Sequence, residues 1–206
     1  MTFTVEQAIN WLTKSNEKIQ KNKDYLSELD QAIGDGDHGI NMARGFDEVV
    51  KKLDGNDYEQ VADVLKDAAM TLMSKVGGAS GPLFGTAFLK ISMAVKGEEA
   101  VTFGTFVKAL EDAVAGVKQR GKAEEGEKTM IDVWSPMVER MKAADDFDAS
   151  VIRDNAKSSM EATKDIVATK GRAAYLKERS KGHLDPGSVS SYYIFEALAE
   201  SLEEGA

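Results

Sequence analysis

Asp30, Asp35 and Asp37 lie close together in a glycine-rich stretch, DQAIGDGDHGIN. Each glycine costs about 1 kcal/mol relative to alanine inside a helix, and aspartates compete with the backbone for hydrogen bonds, so we predict a loop here. In extended backbone, side chains two residues apart point to the same side. Carboxylates crowded in this way repel one another unless a cation neutralises them. The three aspartates therefore predict a site for a hard divalent cation, since all-oxygen ligands favour magnesium, calcium or manganese over zinc.

Calcium can be tested by the spacing of the possible ligands. An EF-hand loop needs acidic or amide ligands at its positions 1, 3 and 5 and a glutamate at position 12. Counting from Asp35 places Gly39 at position 5 and Phe46 at position 12, whereas counting from Asp30 places Asn41 at position 12. Neither register works, so we expect magnesium completed by water and phosphate oxygens. The alternative interpretation is a turn that only links two helices.

A second glycine-rich stretch, VGGASGPLFGT, indicates a phosphate-binding loop. Ser80 can cap the following helix, with Pro82 in its first turn. The surrounding glycines let backbone N–H groups approach a phosphate closely. The GxxxxGK[ST] pattern is absent, so this is not a Walker A loop. An ordinary joint between two helices is the alternative interpretation.

A third polar segment, residues 170–187, breaks the helical periodicity and is predicted to be the longest non-helical segment. Its basic residues include Arg172 and Arg179, which could face phosphates. A solvated surface loop is the alternative.

The composition excludes several classes of protein. The net charge of −9 argues against nucleic acid or an anionic membrane as the principal partner. The absence of cysteine removes disulfides, zinc–thiolate sites and thiol nucleophiles. No stretch approaches the roughly 20 apolar residues of a membrane span, and the N-terminus lacks the pattern of a signal peptide. We therefore expect a cytoplasmic protein, and 206 residues favour one domain.

Apolar residues recur at helical spacing along most of the chain. This periodicity predicts a short turn at 25–29 and helices over 5–22, from His38 to about 53, and over 58–76, 80–91, 102–117, 129–141, 147–167 and from Ser188 onward. Alternation typical of strands is absent, so we expect almost no sheet. Amphipathic helices joined by short turns predict an all-α bundle or barrel. If the glycine-rich joints gather at one end, they form a single site.

Four blocks, GDGDHGINM, VGGASGPLFGT, RGKAEEGEKTMIDVW and KGRAAYLKERSKGHLDPG, follow one another along the chain. In this order they resemble the nucleotide-binding L subunit of bacterial dihydroxyacetone kinase, and the resemblance spans nearly the whole chain. It implies that residues 1–206 form a single nucleotide-binding L domain. The implied fold is all-α, an eight-helix antiparallel barrel with ADP or ATP and two magnesium ions at one end.

Matching the blocks position by position implies the residues of the site. The magnesium ligands would be Asp30, Asp35 and Asp37. The residues in contact with the nucleotide would be His38, Gly39, Ile40, Asn41, Ala79, Ser80, Gly121, Met130, Arg172, Asp185, Pro186 and Gly187. No catalytic residue beyond the metal site is implied.

The resemblance also implies a function as one subunit of a phosphoenolpyruvate-dependent glycerone kinase. A partner subunit would hold dihydroxyacetone covalently on a histidine, and a phosphohistidine on a third subunit of the phosphotransferase system would recharge the bound ADP. His38 and His183 both lie inside the nucleotide-type blocks, so we expect no substrate site on this chain. The alternatives are a subunit of an ATP-dependent kinase that exchanges free ATP, and a non-catalytic module that reports to a transcriptional regulator.

Overall fold

Residues 2–204, which the computed structural model describes, are predominantly helical. In chain order the elements are β1 (Thr2–Phe3), α1 (Val5–Lys21), α2 (Lys23–Ile33), α3 (His38–Leu53), α4 (Val61–Lys75), α5 (Ser80–Ala94), β2 (Val101–Thr102), α6 (Phe103–Gly121), α7 (Ile131–Lys142), α8 (Ala149–Ala162), two 3-10 helices (Thr163–Asp165 and Arg172–Ser180) and α9 (Pro186–Glu204). The two strands form a short antiparallel pair. The prediction of an all-α fold with almost no sheet is confirmed.

Eight of the helices form a closed ring. Going round it, α1, α3, α4, α5, α6, α7, α8 and α9 each pack against the next, and α9 returns to α1. The ring encloses a core of large aromatic side chains that includes Trp11, Phe88, Phe106, Trp134 and Phe195. This is the eight-helix barrel that the resemblance implied.

The ninth helix, α2, packs outside this ring, chiefly against α3. The sequence indicated only a short turn at 25–29, so the prediction was wrong about its length. Leu26 and Ile33 are buried and Leu29 is half-buried. These three apolar residues lie on one face at helical spacing, and their burial explains why the turn extends into a full helix.

Helix α1 is capped and anchored by specific hydrogen bonds. Thr4 and Gln7 form the reciprocal capping box, with Thr4 N to Gln7 Oε1 at 2.9 Å and Gln7 N to Thr4 Oγ1 at 3.2 Å. The Trp11 indole N–H donates to the carbonyl of Ile194, at 2.7 Å. This buried contact fixes α1 against α9, which closes the ring.

Residues 163–180 depart from the predicted boundaries. Helix α8 ends at Ala162, and the chain continues as a 3-10 turn. The segment predicted to be non-helical contains a 3-10 helix, Arg172–Ser180, with a kink at Lys177 where φ is 52°. Ile33, Ala168 and Ala173 form a small separate apolar cluster that holds this segment against the end of α2. Within residues 2–204, no helix is long and apolar enough to span a membrane.

Candidate nucleotide and metal site

The connections α2–α3, α4–α5, α6–α7 and α8–α9 meet at one end of the barrel around a cavity of about 220 Å³. The convergence of the glycine-rich joints is therefore confirmed. Among the predicted site residues, the cavity is lined by Asp30, Asp35, Asp37, His38, Asn41, Ala79, Ser80, Met130, Arg172, Asp185, Pro186 and Gly187. Gly39, Ile40 and Gly121 are not part of this lining.

Asp30 organises the acidic loop. It lies in the last turn of α2, and its Oδ2 accepts hydrogen bonds from the backbone N–H groups of Asp37, at 3.0 Å, and His38, at 3.1 Å. The loop thus folds back over the carboxylate. A Cβ at Gly34 would lie 2.1 Å from Asp30 Oδ1, and Gly36 has a φ of 79°. Both glycines are therefore required for the return of the loop over Asp30.

One carboxylate oxygen from each of Asp30, Asp35 and Asp37 lies within 4.8 Å of the others. Burial raises the pKa of Asp30, and the charges of Asp35 and Asp37 raise it further, while the two backbone hydrogen bonds oppose the rise. The Arg172 guanidinium contacts Asp35 Oδ2 at 2.7 Å, which offsets part of the negative charge. Three converging carboxylates with open sides fit a hard, oxygen-preferring cation.

His38, the first residue of α3, connects three elements of the barrel. Its Nδ1 lies 3.1 Å from Ser80 Oγ, at the start of α5, and its Nε2 lies 2.8 Å from Ser190 Oγ in α9. Burial lowers the pKa of His38 to about 4. The imidazole is therefore neutral at neutral pH, with one nitrogen as donor and the other as acceptor.

The three residues after His38 have different environments. A Cβ at Gly39 would lie 2.0 Å from the carbonyl oxygen of Lys23, so this glycine allows α3 to approach α2 closely. Ile40 is 57% exposed on the outer surface. Asn41 faces the cavity, and its Oδ1 accepts a hydrogen bond from Arg44, at 2.9 Å.

The second glycine-rich stretch, which was predicted to be a phosphate-binding loop, leads directly into α5. Gly78 in this stretch lies in the left-handed region, at a φ of 65°. The N-cap of α5 is Ala79, which makes no side-chain capping bond, and Ser80 is the first helical residue. The prediction that Ser80 is the N-cap was therefore wrong, because its hydroxyl is engaged with His38 instead. The backbone N–H groups at this helix start have no side-chain cap and lie beside the cavity, as an anion site requires.

The α6–α7 and α8–α9 connections are fixed by the carboxyls of Asp132, which is buried, and Asp185, which is half-buried. Asp132 accepts from the N–H groups of Gly126, at 2.5 Å, and Thr129, at 2.7 Å, and burial raises its pKa. Asp185 caps α9 through the N–H of Ser188, at 2.6 Å, and burial raises its pKa to about 6. These bonds hold the backbone on either side of the cavity.

Met130 and Gly187 meet where these two connections converge. A Cβ at Gly187 would lie 3.8 Å from the Met130 backbone nitrogen. Gly121 is exposed outside the cavity, where an added Cβ would lie 3.1 Å from Leu83 Cδ2, and Leu83 itself lines the cavity.

Lys128 also lines the cavity, and sequence reasoning did not identify it. It is 1% exposed, and its ammonium donates to backbone carbonyls from the α8–α9 connection. In the sequence Lys128 lies in a run of charged residues that is typical of a solvated loop, so no local pattern distinguishes it from an exposed lysine.

Comparisons with known proteins agree with this geometry. The DAK2 domain family model matches residues 32–200. The chain is 50% identical to the ADP-binding subunit DhaL of PEP-dependent dihydroxyacetone kinase 1 of Listeria innocua serovar 6a, over 98% of both chains. It is 41% identical to the ADP-binding subunit DhaL of the PEP-dependent kinase of Escherichia coli K12, over 99% of this chain and 100% of that one.

A solved structure shares the fold. The native dihydroxyacetone kinase of C. freundii superposes with a TM-score of 0.76 at 26% identity, over 94% of this chain and 34% of that longer one. The chain therefore belongs to the DAK2 domain family and, within it, to the family of ADP-binding DhaL subunits of dihydroxyacetone kinases that depend on phosphoenolpyruvate.

Proposed function

We propose that this chain is the nucleotide-binding subunit that holds ADP or ATP with two magnesium ions and delivers a phosphoryl group to dihydroxyacetone on a partner subunit. The observation that carries the proposal is the position of the three carboxylates. They converge within 4.8 Å, and they line the same cavity as the uncapped start of α5. Cation ligands beside an anion site are what a magnesium–nucleotide complex requires.

Asp30, Asp35 and Asp37 would hold the magnesium ions. When bound, the ions supply positive charge that neutralises the nucleotide phosphates and the group in transfer. The chain's own contribution to the metal site is its geometry. The backbone hydrogen bonds to Asp30 Oδ2 fix this carboxylate before any ligand arrives. Binding therefore does not have to order the Asp30 side chain.

The phosphates would lie against the start of α5, whose N–H groups have no side-chain cap and whose dipole favours negative charge. The base would then lie deeper in the cavity, against the apolar side chains of Leu83, Phe84 and Met130. Arg172, which contacts Asp35 from the 3-10 helix, would pair with a phosphate oxygen.

Catalysis by this chain would rest on positioning and on exclusion of water. Both ring nitrogens of His38 are occupied by serine hydroxyls, and its lowered pKa makes it a poor proton carrier at neutral pH. This supports a division of labour in which residues 1–206 form one nucleotide domain and the partner subunit supplies the substrate and its covalent histidine. The proposal places the reaction in the cytoplasm, the compartment that holds phosphoenolpyruvate and nucleotides.

Native mass spectrometry of the purified full-length chain tests the binding proposal. We expect a species with one ADP and two magnesium ions, which EDTA converts to the bare chain. A chain that stays bare after addition of ADP and magnesium contradicts the proposal.

A second experiment separates the two phosphoryl donors. The ADP-loaded chain, freed of excess nucleotide by gel filtration, is incubated either with a phosphohistidine-carrying phosphotransferase protein or with labelled ATP. We expect ATP to form in place on the bound nucleotide in the first case. Rapid exchange with labelled ATP, without phosphorylation in place, would instead assign the chain to an ATP-dependent kinase.

A further inference from the structure

The buried ammonium of Lys128 has a complete set of partners. Its Nζ donates to the carbonyl oxygens of Thr163, at 2.6 Å, Ile166, at 3.2 Å, and His183. An ammonium carries three hydrogens, so every donor is used. The burial of a lysine with all of its donors on main-chain oxygens is uncommon, because a charge is costly to bury unless it is fully compensated.

The three carbonyls belong to the two ends of one segment, residues 163–183. Thr163 and Ile166 follow the end of α8, where the Thr163 carbonyl also accepts the Ile166 N–H at 3.2 Å, and His183 precedes α9. Between them the segment carries the 3-10 helix, including Arg172 beside the acidic loop. Lys128 therefore joins the two ends of the segment at its base.

The backbone and the surrounding charges suit this role. Lys128 has a φ of 63°, in the left-handed region that non-glycine residues rarely adopt. Burial lowers the pKa of Lys128, and the negative charges of Asp185, Asp132 and Asp165 oppose this fall. Lys122 is exposed and also has a positive φ, at 49°, so the backbone conformation alone does not indicate a role; the three specific contacts of the buried Lys128 ammonium do.

We propose that Lys128 is a positioning residue for the bound nucleotide: its ammonium fastens the ends of the 163–183 segment, keeps Arg172 over the phosphates and so slows nucleotide release. The proposal rests on the proposed function, because it takes the cavity to be the nucleotide site. Lys128 itself acts through the segment and need not touch the nucleotide.

The variant Lys128→Met keeps the length of the side chain and removes all three donors. We expect ADP to leave the full-length chain at least about tenfold faster in the presence of magnesium, equivalent to about 1.4 kcal/mol. Backbone amides of residues 166–183 should exchange hydrogen faster, while those of α1 and α4 stay unchanged. Lys122→Met is the matched control, because Lys122 also has positive φ, at 49°, but is exposed.

A second variant keeps the test decisive if Lys128→Met folds poorly. Lys128→Gly relieves the positive φ and opens a channel of the length of n-butylammonium. Added n-butylammonium should slow ADP release and amide exchange in this variant, whereas n-butanol, of the same shape but uncharged, should not. If Lys128 only fills space, n-butylammonium and n-butanol should slow ADP release and amide exchange to the same extent.

Three results would overturn the role of Lys128. One is a folded Lys128→Met that releases ADP at the rate of Lys122→Met. Another is faster ADP release without faster amide hydrogen exchange in residues 166–183. The third is that neither Lys128 variant folds and that n-butylammonium does not restore folding. A wild-type chain that binds no ADP overturns the proposed function instead, and the exchange measurement then decides alone whether Lys128 fastens the segment.

Discussion

His38 Nε2 lies 2.8 Å from Ser190 Oγ, a contact that joins residues 152 positions apart across the open end of the barrel. The other ring nitrogen reaches Ser80, so a single neutral imidazole spaces α3, α5 and α9 relative to one another. These helices border the cavity, and its width at the acidic loop therefore depends on this link.

Ser190→Ala should lower both the stability of the chain and its affinity for ADP. The variant leaves the buried Nε2 without a partner, which costs about 1–3 kcal/mol in the free energy of unfolding. Urea denaturation followed by circular dichroism measures this cost, and isothermal titration measures the affinity. Ser201→Ala is the control, because the Ser201 hydroxyl donates to the carbonyl of Leu198 in its own helix. Equal affinities in the two variants would show that the link does not shape the cavity.

Gly39→Ala should be among the most destabilising single-methyl additions in the chain. The new Cβ would lie 2.0 Å from the carbonyl oxygen of Lys23 and 2.6 Å from Ser27 Oγ, so α2 and α3 must separate. We expect a loss of about 3 kcal/mol or more in the free energy of unfolding.

Gly104→Ala provides the contrast for this measurement. Gly104 lies in the first turn of α6 with open space around it, and alanine there should stabilise the helix by about 0.5–1 kcal/mol. If both variants unfold at the same urea concentration, the close packing of α2 on α3 does not limit stability.

The sequence predicted the parts of this protein that depend on local patterns. Apolar spacing of 3.6 residues located the ring helices, and the unusual density of acid and glycine located the loop at Asp30. Features that depend on distant partners had no such signal. Lys128 bonds to carbonyls 35, 38 and 55 residues away, and any residue type supplies a carbonyl. Helix α2 was underestimated because its three large aliphatic residues, Leu26, Leu29 and Ile33, are too few to define a helical stripe in the sequence.

Asp30→Asn should separate metal binding from folding. The amide oxygen can still accept the N–H groups of Asp37 and His38, but the variant lacks the negative charge that a cation requires. We expect magnesium-dependent ADP binding and phosphoryl transfer to fall by about 100-fold or more, since even changes to the partners of metal ligands cost about 10–100-fold. In metal-free buffer the variant should be at least as stable as the wild type, because burial and repulsion already raise the pKa of Asp30.

Asp24→Asn is the matched control for this change. Asp24 lies on the same helix with a side chain that is 92% exposed, so its neutralisation should alter neither binding nor melting. An Asp30→Asn protein that binds ADP and magnesium like the wild type would refute the metal assignment.

Arg172→Ala should weaken nucleotide binding with little effect on stability. Its ion pair with Asp35 is largely exposed, with the arginine side chain 66% accessible, and such pairs contribute at most about 1 kcal/mol. Loss of charge-assisted hydrogen bonds to a phosphate should lower ADP affinity by about 10–100-fold. Arg179→Ala, in the same 3-10 helix but outside the cavity lining, should leave the affinity unchanged. Equal losses in the two variants would indicate a general effect of net charge.

Asp185 should make the stability of the chain fall as the pH rises towards neutrality. Burial raises its pKa from 3.8 to about 6, so the folded state holds this proton more tightly than the unfolded state. The stabilising contribution is complete below pH 4 and is lost as the pH rises through about 6. A shift of one pKa unit corresponds to about 1.4 kcal/mol, so the rise in the pKa of Asp185 corresponds to about 3 kcal/mol in the free energy of unfolding.

The comparison of wild type with Asp185→Asn isolates this contribution, because the amide keeps an acceptor for the Ser188 N–H but does not titrate. The unfolding free energy of the variant, minus that of the wild type, should rise between pH 4 and pH 7. Asp148→Asn should show no such rise over this range, because hydrogen bonds from Ser150 and Val151 lower the pKa of Asp148 and its contribution is lost only as the pH falls below the ordinary value of 3.8. If the difference in unfolding free energy between Asp185→Asn and the wild type does not change across this range, the Asp185 carboxyl is solvated in the folded chain. The hydrogen bond from the Ser188 N–H to Asp185 could then not explain how the start of α9 is held beside Met130.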